Sequence, residues 1–529
     1  MMRIRSAAST TRRKILAAQC CPGAVRSFAA ATNSAAPRLS PGPTSPSSAA
    51  SSHASPAAAS SAPGPLAGIK VLDLSRILAG PFCTQILGDM GATIIKVEHP
   101  IGGDDTRMWG PPFVKAKETP VIHSARSTAN QYVSIGESAY FLAANRNKSS
   151  VCVNLKTPEG IEIIQSLAKG CDVLVENFLP GRLDAMGLGF ETLSKLNPSL
   201  IYASLTGFGD SGPFASRPGY DVMAAARGGL MHVTGSESEP AKVGVAVTDL
   251  SAGLYLHGAI LAALFARERD PQRRGQRVST NLLEVQVANL ANIGQNHLVD
   301  PKRTGRRWGT NHESIVPYGG FRCRPDASGV AQTPLPPPAA AVSPAPSPSS
   351  TTASAASDHI ILGALNNSQF KSLGAAVAEL CAMHPNLGLD ASFMLSPNYA
   401  NNALRVKHRT VLLDSLQHVF SHFPVGTLLR LLDAHAIPNA PINDLAQVYQ
   451  DPQVQYSGIV QQVEHSLVGS IKVAGPPVHY SRTPVQIHAP PPCLGEHTQT
   501  VLQSEMGASA EQLQEWERAG VIGCYHQVK

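Results

Sequence analysis

One acid stands in the apolar run "KVGVAVTDLSAGLYLHGAILAALFA", residues 242–266, and it is Asp249. Val243, Val245 and Val247 alternate with small residues, which predicts a strand. Leu250, Leu254, Leu256, His257, Ile260 and Leu261 then follow helical spacing. Two readings of the carboxylate are open. It is either an N-cap accepting a first-turn N–H, or an acid facing a cleft at a strand-to-helix junction, where open α/β sheets bind ligands.

Other reactive-looking patterns are weaker. "GFGDSG" (207–212) matches G-x-G-x-x-G after a strand, but Pro213, Pro218 and Gly219 follow. It reads as a glycine turn rather than a dinucleotide fingerprint. "HVFSH" places His418 and His422 four apart on a helix, without the glutamate or further ligands of a zinc site. No G-x-S-x-G elbow or G-x-x-x-x-G-K-[ST] loop occurs, which disfavours hydrolase and P-loop chemistry. No metal site is expected.

The elements that must position Asp249 alternate in type. "IKVLDLS" (69–75), "TIIKVEH" (93–99), "SSVCVNL" (149–155), "DVLVENF" (172–178) and "LIYASLTGF" (200–208) read as strands. Helices are expected over 80–91, from Thr157-Pro158-Glu159, and from about Asp221. This order predicts a doubly wound parallel α/β sheet. "YGGFRCR" and "HIILGAL" could pair as a hairpin around the Pro/Ser/Ala-rich insertion 325–357, and 115–137 reads as a loop excursion.

The chain has 529 residues, ample for two domains. Its net charge of +6 comes from one segment: residues 1–64 hold seven of the 43 basic residues and none of the 37 acidic ones. The remainder is near neutral, so nothing points to nucleic acid. The segment is Arg-, Ser- and Ala-rich, as mitochondrial transit peptides are, and residues 36–64 read as a spacer. The predicted location is the mitochondrial matrix. No other run looks long and apolar enough to span a bilayer, so no membrane partner is expected. Of nine cysteines, Cys20 and Cys21 are adjacent in the N-terminal segment, and the other seven, scattered without a C-x-x-C pair, read as reduced thiols.

Taken together, several stretches resemble the class III coenzyme A transferases. They are "PLAGIKVLDLSRILAGPFCTQILGDMGATIIKVE" (65–98), "GDDTRMWGPPF" (103–113), "NRNKSSVCVNLKTPEG" (145–160), "DVLVENFLPGRLDAMGLG" (172–189), "GFGDSGPFASRPGYD" (207–221) and the opening run. "RRWGTNHESIVPYGGF" (306–321) and "IPNAPINDLAQVYQDPQV" (437–454) extend the match towards the C-terminus. The similarity is greatest to the subgroup that uses succinyl-CoA and dicarboxylates such as glutarate.

The resemblance implies a Rossmann-like large domain, a smaller α+β domain and an interlocked homodimer. Composition places a transit peptide and spacer at 1–64; the resemblance places the CoA-binding domain at 65–285, the small domain at 305–415, and a return to the large domain at 430–529. It implies that Asp249 is the catalytic nucleophile, forming an aspartyl anhydride and then an aspartyl-CoA thioester. Coenzyme A is then substrate and covalent intermediate, with no tightly bound cofactor. The implied partners are acyl-CoA and a free carboxylic acid.

By position, the resemblance assigns CoA contacts to Arg76, Ile77, Leu78, Ala79, His99, Val153, Asn154, Leu155, Lys156, Asn177, Phe178, Leu179, Arg182, Tyr220 and Asp221. Many members carry Arg where this chain has Ala185, and Arg182 offers a cation one turn earlier. A dicarboxylate would need a cation for its far end, for which Arg107, Arg306 and Arg307 are candidates. The nearest alternative is an α-methylacyl-CoA racemase. Racemases pair a His with an Asp, and Tyr220 stands at the His position, where a phenol is a poor base near neutral pH. A non-catalytic CoA-binding protein is the other alternative.

Overall fold

The computed structural model describes residues 62–115, 136–325 and 358–525. Most of the presumed transit peptide, the loop excursion and the insertion lie outside these residues.

Five parallel strands come first in the large sheet: β1 (Lys70–Asp73), β2 (Thr93–Glu98), β5 (Lys148–Val153), β6 (Val173–Glu176) and β7 (Ile201–Thr206). A short ribbon, β3 (Phe113–Val114) with β4 (Glu137–Ser138), lies between β2 and β5 in the chain. β8 (Arg277–Asn281) adds a sixth parallel strand beside β7. The order across the sheet is β5-β2-β1-β6-β7-β8. Chain direction along the sheet reverses at β1, and ligands bind beyond the strand ends at such a switch point.

The strands bury both faces. Val71, Ile94, Val173, Val175, Ile201 and Ala203 join one core with the helices Ala79–Asp89 and Val247–Arg269. Leu72, Ile95, Leu174 and Tyr202 join the other core, with helix Pro158–Lys169. Alternation with a period of two therefore serves two apolar layers, as a doubly wound sheet requires.

Residues 242–246 do not form the expected strand. The place beside β7 is taken by β8, and Val245 is exposed. The helix expected at Asp221 is present as Asp221–Arg227, and Thr157 caps the helix Pro158–Lys169.

Two further antiparallel sheets follow. β9 (Tyr318–Arg322) pairs with β10 (His359–Gly363), the hairpin expected from sequence, and β10 pairs with β11 (Asn439–Pro441). Val316, Phe321, Leu373, Leu416, Leu428 and Ile437 belong to a core separate from those of the large sheet. β12 (Val460–His465) and β13 (Gly469–Ala474) form a ribbon. β14 (Ile522–Gly523) then adds antiparallel to β5 at the edge of the large sheet.

By length and composition, helix Val247–Arg269 could cross a membrane, contrary to the sequence expectation that no run would suffice. Its Ala252, Leu256, Ile260 and Ala263 are buried in the large-sheet core, whereas Leu254, Tyr255 and Phe265 are exposed. The seven described cysteines are all free thiols.

Candidate active site

A cavity of about 520 Å³ opens beyond the ends of the parallel strands. Its walls are the segments after β1 (Leu74–Ala79), β2 (His99, Gly103, Asp104), β5 (Leu155, Lys156), β6 (Asn177–Pro180) and β7 (Thr206, Gly207). All the sequence-assigned residues line it except Asn154 and Asp221. Asn154 instead shapes the turn after β5: its Oδ1 accepts the Lys156 N–H at 3.1 Å.

Asp249 is the third residue of helix Val247–Arg269 and lines the same cavity. It is not the N-cap. The N-cap is Ala246, which has no side chain to accept a hydrogen bond. The cap is supplied from 27 residues earlier, because Asp221 Oδ1 accepts the Thr248 N–H at 2.8 Å. The same oxygen accepts the Asp249 N–H at 3.2 Å. Asp221 is thus a capping residue of the helix that carries Asp249, rather than a wall of the cavity.

With the cap made elsewhere, the Asp249 carboxylate is left over. It is 9% exposed, and among the described residues it accepts no hydrogen bond. Burial, and secondly the Asp221 charge, push its pKa up to about 7. A desolvated carboxylate facing a cavity, with a pKa near neutrality, is a candidate reactive group.

Close backbone approaches bring the walls together. A side chain at Gly253, one turn beyond Asp249, would lie 2.7 Å from the Ala79 carbonyl oxygen. Gly207 and Gly219 pack backbone to backbone: a Cβ on Gly207 would be 2.5 Å from Gly219 Cα. That contact closes the loop 207–219, which begins with the expected glycine turn at 207–212, and brings Arg217 and Tyr220 to the cavity wall.

The cations differ from expectation. Arg107 is buried, donating to both oxygens of Glu98 at 2.7 and 2.8 Å, and does not line the cavity. Arg306 pairs with Glu237 at 2.7 Å. Arg307 donates to the carbonyls of His232, Ser236 and Glu237. Lys156, Arg182 and Arg217 do line the cavity, whereas Ala185 does not. Arg217 escaped the sequence reading, although "SRPGYD" offered a cation beside a turn. Lys96 and Asp104, also in the wall, escaped it too: Lys96 sits in an apolar strand pattern and Asp104 in a loop.

A second cluster, Glu137, His465 and Cys493, is buried with its donor atoms within 4.8 Å of one another. His465 Nδ1 accepts the Leu467 N–H at 3.1 Å, so the ring proton resides on Nε2. Burial pushes the Cys493 thiol pKa up to about 12.

Residues 66–341 and 345–498 match the family model of CoA-transferase family III. The chain belongs to CoA-transferase family III. It is 40% identical over 459 residues to succinyl-CoA:glutarate CoA-transferase from Homo sapiens, spanning 87% of this chain and 90% of the relative. It is 36% identical over 439 residues to succinate–glutarate CoA-transferase from Agrobacterium fabrum, spanning 83% and 95%. A solved structure of a CAIB/BAIF family protein from Brucella suis superposes with a TM-score of 0.66 at 32% identity, covering 84% of this chain and all of that one. As a family III CoA-transferase, the chain is an enzyme that uses coenzyme A as a substrate.

Proposed function

We propose that the enzyme moves coenzyme A from succinyl-CoA, or a related dicarboxylyl-CoA, to a free dicarboxylate such as glutarate, with Asp249 as nucleophile. The observation that carries this reading is the buried Asp249 carboxylate, unpartnered among the described residues, at the wall of the cavity. The substrate class is supported by the named activities of the relatives.

In this reading an Asp249 oxygen attacks the thioester carbonyl. The C–S bond breaks, CoA leaves as thiolate, and an aspartyl–acyl anhydride remains. The thiolate then attacks the aspartyl carbonyl, releasing the first acid as carboxylate and leaving aspartyl-CoA. The acceptor carboxylate attacks that thioester, expelling thiolate and forming a second anhydride. The thiolate attacks the acceptor's acyl carbon, giving the new acyl-CoA and freeing Asp249. No proton is transferred, and each intermediate keeps the acyl group activated. Water would hydrolyse either intermediate, and the buried setting of Asp249 suits its exclusion.

Arg76, Ile77, Leu78, Ala79, His99, Val153, Leu155, Lys156, Asn177, Phe178, Leu179, Arg182 and Tyr220 are read as the CoA-contacting wall. Lys156, Arg182 and Arg217 would meet phosphates or a distal carboxylate. The separate cores support a division into a large CoA-binding domain and a small domain. Exposed Leu254, Tyr255 and Phe265 on the Asp249 helix support a homodimer. The acid-free, Arg-rich first 64 residues support import into the mitochondrial matrix.

The test is a donor and acceptor panel with purified enzyme. Succinyl-CoA with glutarate should yield glutaryl-CoA and succinate in equal amounts. Hydrolysis alone, or transfer confined to monocarboxylates, would refute the substrate assignment.

A further inference from the structure

Ile77, in the cavity wall, has φ +74°. A β-branched residue in the left-handed region is strained and must be held there. Its N–H donates to both oxygens of Asp104, at 3.1 and 3.2 Å. Asp104 is in turn held by Lys96, whose Nζ lies 2.9 Å from Asp104 Oδ2 and 2.9 Å from the Ser75 carbonyl. Both side chains are wholly buried. Asn177 fixes the residue between, accepting the Arg76 N–H at 3.0 Å and donating to the Arg76 carbonyl at 2.8 Å.

Backbone groups from Ser75 to Ile77 are thus taken by side chains of the protein. The next two donors are different: the N–H groups of Leu78 and Ala79 have no partner among the described residues. Both residues line the cavity with Asp249, at the uncapped start of helix Ala79–Asp89. An apolar core would be at least as stable without a desolvated Lys–Asp pair. What the pair adds is a fixed direction for the 77–78 peptide.

We propose that Lys96 and Asp104 are positioning residues for acyl-CoA: their pair holds Ile77 in its left-handed conformation and so aims the Leu78 and Ala79 N–H groups into the cavity. The proposal rests on the reading of this cavity as the acyl-CoA site. Glycine adopts a positive φ without strain, so the Ile77→Gly variant should need the clamp less.

The experiment is a double-mutant cycle of Lys96→Met and Ile77→Gly, with Asp104→Asn as the milder second variant. Kd for succinyl-CoA is measured by calorimetry, KM and kcat by transfer to glutarate, and the fold by thermal unfolding. With Ile77 retained, Lys96→Met should weaken acyl-CoA binding and raise KM by about tenfold or more, a loss of the size that misplacement produces. In the Ile77→Gly background the same change should cost several-fold less. Asp104→Asn should show a smaller loss with the same rescue, and it decides the matter if Lys96→Met does not fold. Equal losses in both backgrounds, or lower thermal stability with unchanged Kd and KM, would overturn the proposal. Wild type that transfers CoA while an acyl-CoA photoprobe labels some other surface would instead overturn the reading of the cavity.

Discussion

Asp104 and Asp249 line one cavity and are similarly buried, 2% and 9% exposed, yet their protonation moves in opposite directions. Burial raises the pKa of both carboxyls. At Asp104 the Lys96 charge and its hydrogen bond, with donors from Thr106, outweigh that and bring the pKa down to about 2. At Asp249 nothing opposes burial, and the nearby Asp221 charge adds to it, giving about 7. The difference separates an acid held by donors from one left without them in the same wall. A carboxylate saturated with donors holds backbone; one deprived of them is free to react.

The comparison breaks most directly in activity. Asp249→Asn should lower transfer roughly 10³-fold or more, since an amide cannot form the anhydride. Steady-state transfer assays check this, and near-normal rates in a folded variant would remove Asp249 from the chemistry.

On stability the two acids should again diverge. Asp104→Leu leaves Lys96 buried without its partner and should destabilise by about 3–5 kcal/mol, read by denaturant unfolding. Asp104 stabilises the fold above its unfolded pKa near 3.8, and that contribution is lost as pH falls from there towards about 2. Asp249 has the reverse sign. Its folded pKa is raised, so the native state binds the proton more tightly between 3.8 and about 7, and the ionised form is a burden above that window. Asp249→Asn should therefore be more stable than wild type at pH 8, by on the order of a few kcal/mol at most, and equal to it below pH 3.8. A variant less stable at pH 8 would show that the carboxylate has a stabilising partner.

The smallest effect should come from Asp221→Asn. The amide oxygen can still accept the Thr248 and Asp249 N–H bonds, but the charge that raises the Asp249 pKa is gone. The acid limb of the pH–rate profile should move to lower pH with thermal stability little changed. An unmoved limb would mean that burial alone sets the pKa.

Much of this wall was legible in the sequence because its residues follow strands, and apolar alternation marks where β1, β2, β5, β6 and β7 end. Asp249 was legible as an odd acid in an apolar run, though not its freedom from capping. That depends on Asp221, 28 residues earlier, and on a contact only the fold creates. Lys96 was hidden for a similar reason: in "TIIKVE" it is a lone lysine in an apolar strand pattern, and its partner Asp104 meets it only in the fold. The false strand at 242–246 had suitable valines, but pairing needs a vacant neighbour, and β8 already occupies it. β8 itself has only Val278 as a large apolar residue, so its pattern is that of a loop.

The central claim is that Asp249 carries the activated acyl or CoA group. Enzyme incubated with succinyl-CoA, quenched with hydroxylamine and digested should give a hydroxamate on the peptide containing Asp249, detected by mass spectrometry. The Asp249→Asn protein should give none. A hydroxamate on another carboxylate, or unmodified Asp249 in an enzyme that is turning over, would contradict it.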